Sequence, residues 1–151
     1  MYKGRECTSL DKITSTELSK YRLQKAEKML SSAKRDMEAK DYASANNRAY
    51  YSIFHAMRAV LALDGEDYRK HSAVISRFSQ LYLKTEIMPR EFGKLVSNAS
   101  LIRNRSDYED FYVCSVEDTR KLVDGAERFL GTVKVFLEKQ PASEEAENNN
   151  P

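Results

Sequence analysis

The chain has 151 residues, 25 Lys and Arg against 23 Asp and Glu for a net charge of +2, a hydrophobic fraction of 41%, 5 Gly, 3 Pro and no Trp. This is the arithmetic of one soluble domain, long enough to bury roughly 68–70% of the surface of its unfolded form, so packing suffices without a disulfide framework or a structural metal. Cys7 and Cys114 have no Cys-x-x-Cys neighbour or His cluster, the segment Met1 to Thr16 is too charged for a signal peptide, and the apolar run Ile53 to Leu63 is far short of the ~20 residues of a membrane span, so a cytoplasmic location without membrane, metal or cofactor is expected.

Scarce Gly and Pro with abundant Ala, Leu, Lys, Glu and Arg favour helix, and the periodicity predicts an all-α domain of five helices over residues 14–139. The first helix is expected from Thr14, which with Glu17 has capping-box spacing, and its stripe is Leu18, Tyr21, Ala26, Met29, Leu30, Ala33 and Met37. Asp41 is placed to cap a second helix ending at Leu63 before Asp64-Gly65. Ala, Tyr, Ile, Phe, Met, Val and Leu cover more than one face of this helix, making it central, and the excess apolar surface predicts a homodimer. A third helix is expected over about His71 to Leu83, and a fourth from Pro89 to about Arg105, where the string Arg103-Asn104-Arg105-Ser106-Asp107-Tyr108-Glu109-Asp110 ends the periodicity. Ser115 and Asp118 have the spacing to open a fifth helix closed by Pro141. Residues 1–13 are expected to be flexible, and the acidic, Asn-rich segment 140–151 to be disordered.

Charge is uneven, with ten Lys and Arg against six Asp and Glu in residues 1–40 and five against eight in residues 111–151. Glycine-rich phosphate loops, His-Glu-x-x-His and Gly-x-Ser-x-Gly are all absent, which removes most familiar enzyme classes. His55 and His71 supply all the imidazole. His55 lies within the apolar helix and reads as buried or interfacial, whereas His71 sits at a helix start where its charge is disfavoured, so capping or packing is its simplest role and a place among the phosphate-binding residues its functional one.

Two constellations carry chemistry. In Asn47 to Leu61, Tyr50 and Phe54 lie one turn apart, as do Tyr51 and His55; the aromatics read mainly as core, while Asn47 and Arg58 are available to polar partners or phosphate. In Arg103 to Asp110, the plain alternative is a solvated helix end with four-spaced ion pairs worth ~0.2–0.5 kcal/mol each. The functional alternative is a phosphate site in which Arg103, Asn104 and Arg105 bind oxygens, with Asp107 and Tyr108 orienting them.

Taken in order, the aromatic helix Asn47 to Leu61, the block Lys70-His71-Ser72-Ala73-Val74-Ile75-Ser76-Arg77-Phe78 and the string Arg103 to Tyr108 resemble the small single-domain bacterial and archaeal HEPN proteins, over about Leu18 to Lys139. The resemblance implies an all-α, up-and-down bundle of four or five helices that pairs as a homodimer, with the segment after the fourth helix in a cleft between subunits. It also implies a metal-independent RNase or toxin with an Arg, polar residue and downstream His motif, beside a minimal nucleotidyltransferase antitoxin. Arg103 and Asn104 match that motif's opening, whereas Tyr108 stands where the His is expected. An unperturbed phenol near pKa ~10 is a poor base at neutral pH, so the expected function is RNA or nucleotide binding with weak or no cleavage, Arg103 and Tyr108 being the candidate catalytic pair. On the same reasoning Tyr108→His is expected to create or raise cleavage. Cleavage, and a helical interaction module without nucleic acid, are the alternatives.

Overall fold

The structure, a computed structural model, describes residues 9–140, with side chains from residue 14 onward. The segments expected to be flexible or disordered lie largely outside this range. Five α-helices follow one another: α1 Ser9–Glu38, α2 Tyr42–Leu63, α3 His71–Phe78, α4 Phe92–Tyr108 and α5 Val116–Glu138, and no strand occurs among the described residues. None of these helices is long and apolar enough to cross a membrane.

α1 and α2 form an antiparallel hairpin whose interface is extensive and lined by small side chains. Ala26, Ala33, Ala45, Ala49, Ala56 and Ala59 are all fully buried, which lets the two backbones approach closely. The contact is tight enough for hydroxyls to reach across it: Ser19 Oγ donates to the Ala59 carbonyl at 2.7 Å and Ser52 Oγ to that of Ala26 at 2.9 Å. Each bond satisfies a buried hydroxyl that would otherwise lose its water. Helix α5 lies antiparallel to α1, with Lys34 paired to Glu127 and Lys134 to Glu27, and Asn46 of α2 donates to Thr119 of α5 at 2.9 Å. Beyond α2, Phe78, Tyr82, Phe92, Phe129 and Phe136 interlock mainly edge-to-face with centroids 5.2–5.7 Å apart.

Three expected boundaries move. α1 starts at Ser9, so Thr14 and Glu17 are inside the helix and form no capping box; the stripe beginning at Leu18 marks where packing starts, and Ser9 to Ile13 holds no Gly or Pro to stop the helix earlier. α4 starts at Phe92, because Pro89 to Glu91 form a preceding turn with bonds to Phe92, Gly93 and Lys94 three residues on. It then continues past Arg105 to Tyr108, since the pairs Arg103 with Asp107 and Arg105 with Glu109 support the helix rather than end it. The third expected helix keeps its span, but residues Ser79–Leu83 form a π-helical turn. Asp41 caps α2 by accepting from the Ser44 N–H at 3.2 Å, Gly65 at φ 71° ends it, and Ser115 caps α5.

Thirteen of the 22 residues of α2 are buried, by helices of the same chain. Its apolar coverage is therefore satisfied without a second copy, and the argument for a dimer from α2 falls. The most exposed of the large apolar side chains instead sit at the α4–α5 connection, where Tyr108, Phe111 and Val113 are 84%, 97% and 86% exposed.

Candidate phosphate-binding site

The site is assembled where the unburied side of α2 meets the first turn of α3 and the last turns of α4. His71 is the first residue of α3, after Lys70 at the cap position, and its ring stacks on Phe54 with centroids 4.1 Å apart. Tyr51 meets the same imidazole edge-on at 5.9 Å. His71 Nδ1 lies 2.8 Å from the Tyr50 hydroxyl and 3.1 Å from Arg103 Nη1. A guanidinium has only donors, so Nδ1 accepts and the neutral ring, assigned by this logic, carries its proton on Nε2. Burial, together with the charges of Arg103 and Arg58, lowers the His71 pKa and keeps the ring neutral near pH 7.

Arg103 is thereby held on three sides. Beside the His71 bond, its guanidinium lies 5.2 Å from the Tyr50 ring centre and 5.7 Å from that of Tyr51, and Nε is 3.7 Å from Asp107 Oδ2. The carboxylate contact is too long for a strong hydrogen bond, and two contacts do not saturate five N–H donors. The side chain keeps a quarter of its exposure. The result is a positioned, incompletely neutralised cation with aromatic walls, the arrangement that suits a planar two-pronged grip on phosphate oxygens.

His71, Arg103 and Asp107 of the expected site residues are thus brought together, and Arg58 joins them across Phe54, its guanidinium 5.8 Å from that ring. Asn104, Arg105 and Tyr108 are not brought in. All three are exposed, and Arg105 faces a shallow groove of about 300 Å³ between α4 and α5 with Leu101, Ile102 and Tyr112. Five residues after Arg103, Tyr108 is rotated about 140° around the helix axis. Asn47 is exposed one turn before Tyr51. Tyr50 and Phe54 had been read from their spacing as core, and they are buried; their contact with His71 adds a site role that only the α2–α3 packing reveals.

A second cluster continues from Arg58. Its Nη2 donates to Asp67 Oδ1 at 2.7 Å, and Arg22 of α1, almost fully buried, reaches the same oxygen at 3.2 Å and the Arg58 carbonyl at 3.4 Å. Burial lowers the Arg22 pKa, as does Arg58, against the opposing pull of Asp67. His55, half-buried, has its pKa lowered to about 4, first by burial and then by Lys25, Arg58, Arg22 and His71. Those charges surround one ring, so the two clusters form a continuous surface. Among the described residues no group of three or more His, Cys, Asp and Glu is arranged to hold a metal ion.

Comparison with known proteins agrees with this architecture. The HEPN domain profile matches residues 19–136. A UPF0332 protein of Thermotoga maritima is 28% identical over 122 residues, covering 81% of this chain and 92% of the relative. A protein of Methanocaldococcus jannaschii named as a candidate toxin is 30% identical over 114 residues, 76% of this chain and 84% of its own. A UPF0332 protein of Archaeoglobus fulgidus is 30% identical over 118 residues, covering 78% and 94%. With its all-α bundle and a profile match over most of its length, the chain belongs to the HEPN domain family.

Proposed function

We propose that this HEPN protein binds RNA or a nucleotide through a phosphate held at Arg103, as a toxin-like component with weak or no cleavage of its own. The observation that carries the reading is the Arg103 guanidinium, oriented by His71 Nδ1 and flanked by Tyr50 and Tyr51 with only a loose carboxylate partner. Binding is favoured over turnover because the lone pair of His71 Nδ1 is already engaged by Arg103 and Tyr50, which leaves the ring a hydrogen-bond donor rather than a ready base. Tyr108 stands apart from Arg103 within the chain. The name of the M. jannaschii relative supports the toxin-like part of the reading.

The same proposal includes a homodimer and an antitoxin partner of the minimal nucleotidyltransferase kind. For the dimer, the support is the exposed patch Tyr108, Phe111 and Val113, next to a string in which the basic pair Arg103 and Arg105 is followed by the acidic Asp107, Glu109 and Asp110, a distribution that is self-complementary when two copies meet antiparallel. The test is fluorescence anisotropy with labelled single-stranded RNA and with nucleotides, in chelator, for wild type and Arg103→Gln, while gels score cleavage. Binding that disappears in Arg103→Gln and weakens steeply with salt is expected. Equal binding by the two proteins sinks the reading, and salt-insensitive association with protein alone supports an interaction module.

A further inference from the structure

Helix α2 is buried on almost every side, and the stripe it leaves open has a definite composition. Asn47 and Arg48 open it, Tyr51, His55 and Arg58 follow at one-turn steps, and the helix contains no Asp or Glu. From Asn47 to Arg58 the stripe rises about 16 Å along the helix axis. Arg103 and His71 flank its middle at Tyr51. Arg58 ends it, backed by the buried Arg22, and Lys25, one turn along the antiparallel α1 and so back beside His55, is set over the exposed Tyr21 ring at 5.2 Å. Asp67 contributes one negative charge to two guanidiniums, so this end retains positive charge even before Lys25 is counted. From Arg103 at the middle to Arg58 at the end, the surface is formed by the partly open rings of Tyr51 and His55, centroids 6.0 Å apart. Cations separated by aromatic surface are what a single-stranded nucleic acid uses, its phosphates on the charges and its bases on the rings.

We propose that Arg58 and Lys25, supported by Arg22, form a second phosphate position, and that Tyr51 and His55 carry bases between it and Arg103, so that the ligand is a single-stranded polynucleotide lying along α2. The inference rests on the reading of Arg103 as the first phosphate site and names its substrate class: a chain of several nucleotides, not a mononucleotide or a duplex. A duplex has its bases stacked inward and offers none to Tyr51 and His55. His55, kept neutral, contributes a ring face without adding a charge that would have to be desolvated.

The experiment measures anisotropy of fluorescein-labelled oligouridylates, a dinucleotide and an octanucleotide, and of an RNA duplex of eight base pairs, on the full chain. Wild type, Lys25→Gln, Arg103→Gln and the charge-matched control Lys94→Gln are compared. Lys25 is exposed and packs only on a surface ring, so its loss leaves the fold intact. The octanucleotide is expected to bind at least about 10-fold tighter than the dinucleotide. Lys25→Gln is expected to remove about 3- to 10-fold of the octanucleotide affinity and to lower its salt slope by about 0.7, with the dinucleotide unchanged. Arg103→Gln should weaken both lengths. Octanucleotide and dinucleotide bound equally, Lys25→Gln matching Lys94→Gln, or duplex bound as well as single strand each overturns the track, while the Arg103 effect persists and keeps the first site. Arg103→Gln without effect on either length overturns the first site and the track together.

Discussion

Two arginines two residues apart on α4 look alike in the sequence and differ in the folded chain. Arg103 and Arg105 each have a carboxylate four residues on, at 3.7 Å and 4.0 Å, and each lies near an aromatic ring. Arg105 stops there: it is half exposed, and Tyr112 is its nearest aromatic partner. Arg103 is turned about 160° away, into a corner lined by α2 and α3, where an imidazole nitrogen and two tyrosine rings fix its direction. The two pairs share charge and spacing. What separates them is the set of neighbours supplied from more than thirty residues away, and preorganisation of this kind is what lets a cation bind an anion without first losing conformational freedom.

The largest expected effect tests that contrast directly. Arg103→Gln should weaken RNA binding about 10- to 100-fold, the loss of a charge-assisted, oriented phosphate contact worth about 1.5–3 kcal/mol, whereas Arg105→Gln should change it about twofold through net charge alone. Anisotropy titrations at matched ionic strength check this, with thermal melts as the control. Equal losses at the two positions would mean that phosphate is read by the whole exposed end of α4, not by the corner.

Stability against pH sharpens the same comparison, because the corner and its extension hold both histidines and the end of α4 holds none. Unfolded His55 titrates near ~6.5 and folded His55 at about 4, so between these values the unfolded chain binds more protons than the folded one. The contribution of a neutral His55 is therefore fully present above pH ~6.5 and is lost as pH falls toward about 4. His71, also lowered, acts in the same direction. After allowance for partial exposure, the loss is about 1–2 kcal/mol, or a few degrees in Tm for a chain of this size. His55→Gln should flatten this acid limb in calorimetry. An unchanged limb would assign the acid sensitivity to other groups.

Much of the fold was legible in the sequence and less of the site, for a physical reason. Local rules name local features: Asp41, Gly65 and Ser115 end or begin helices through bonds to residues two to four positions away, and the structure reproduces them. The same rules misplaced both ends of α4 and the start of α1, where competing weak signals left the boundary to tertiary packing. His71 and Arg103 were each visible as polar residues of interest. Their bond spans 32 positions, and no spacing rule connects a helix start to a helix end at that separation. Nor could composition show that Asn104, Arg105 and Tyr108 face outward, because a string read as the end of a helix has no predicted face. Once α4 is seen to continue to Tyr108, the 100° step per residue divides the string into Arg103 and Asp107 on one side and the rest elsewhere.

A smaller effect, with two opposite signs, comes from Asp67. Asp67→Asn leaves the nearly buried Arg22 without its carboxylate and should cost about 1–2 kcal/mol of stability, seen as a lower Tm. The substitution also raises the positive charge beside Arg58, so RNA binding should tighten about two- to threefold at low salt. A variant that loses both stability and RNA affinity would show that Asp67 orients Arg58 for the ligand, and that its charge matters less than its geometry.

The smallest effect is expected at Tyr108, the residue that stands where the family resemblance leads one to look for an imidazole. Its side chain is 84% exposed and lies on a different face of α4 from Arg103, so its hydroxyl has no route to a phosphate held in the corner of the same chain. Tyr108→Phe should therefore leave RNA affinity within about twofold and Tm within about 1 °C, in line with surface substitutions away from structural contacts. By the same geometry, an imidazole introduced by Tyr108→His stays remote from Arg103 of its own chain. Cleavage gained in that variant would require Tyr108 to meet Arg103 of a second copy across the exposed patch that includes Phe111 and Val113. The comparison is decided by repeating the Tyr108→His assay with Phe111→Asp added. A charge in the middle of that patch should dissociate a dimer held there, seen as a halved mass in light scattering. Cleavage that disappears with the mass change places the acid–base group between subunits. Cleavage that survives in the monomer would refute the outward placement of Tyr108.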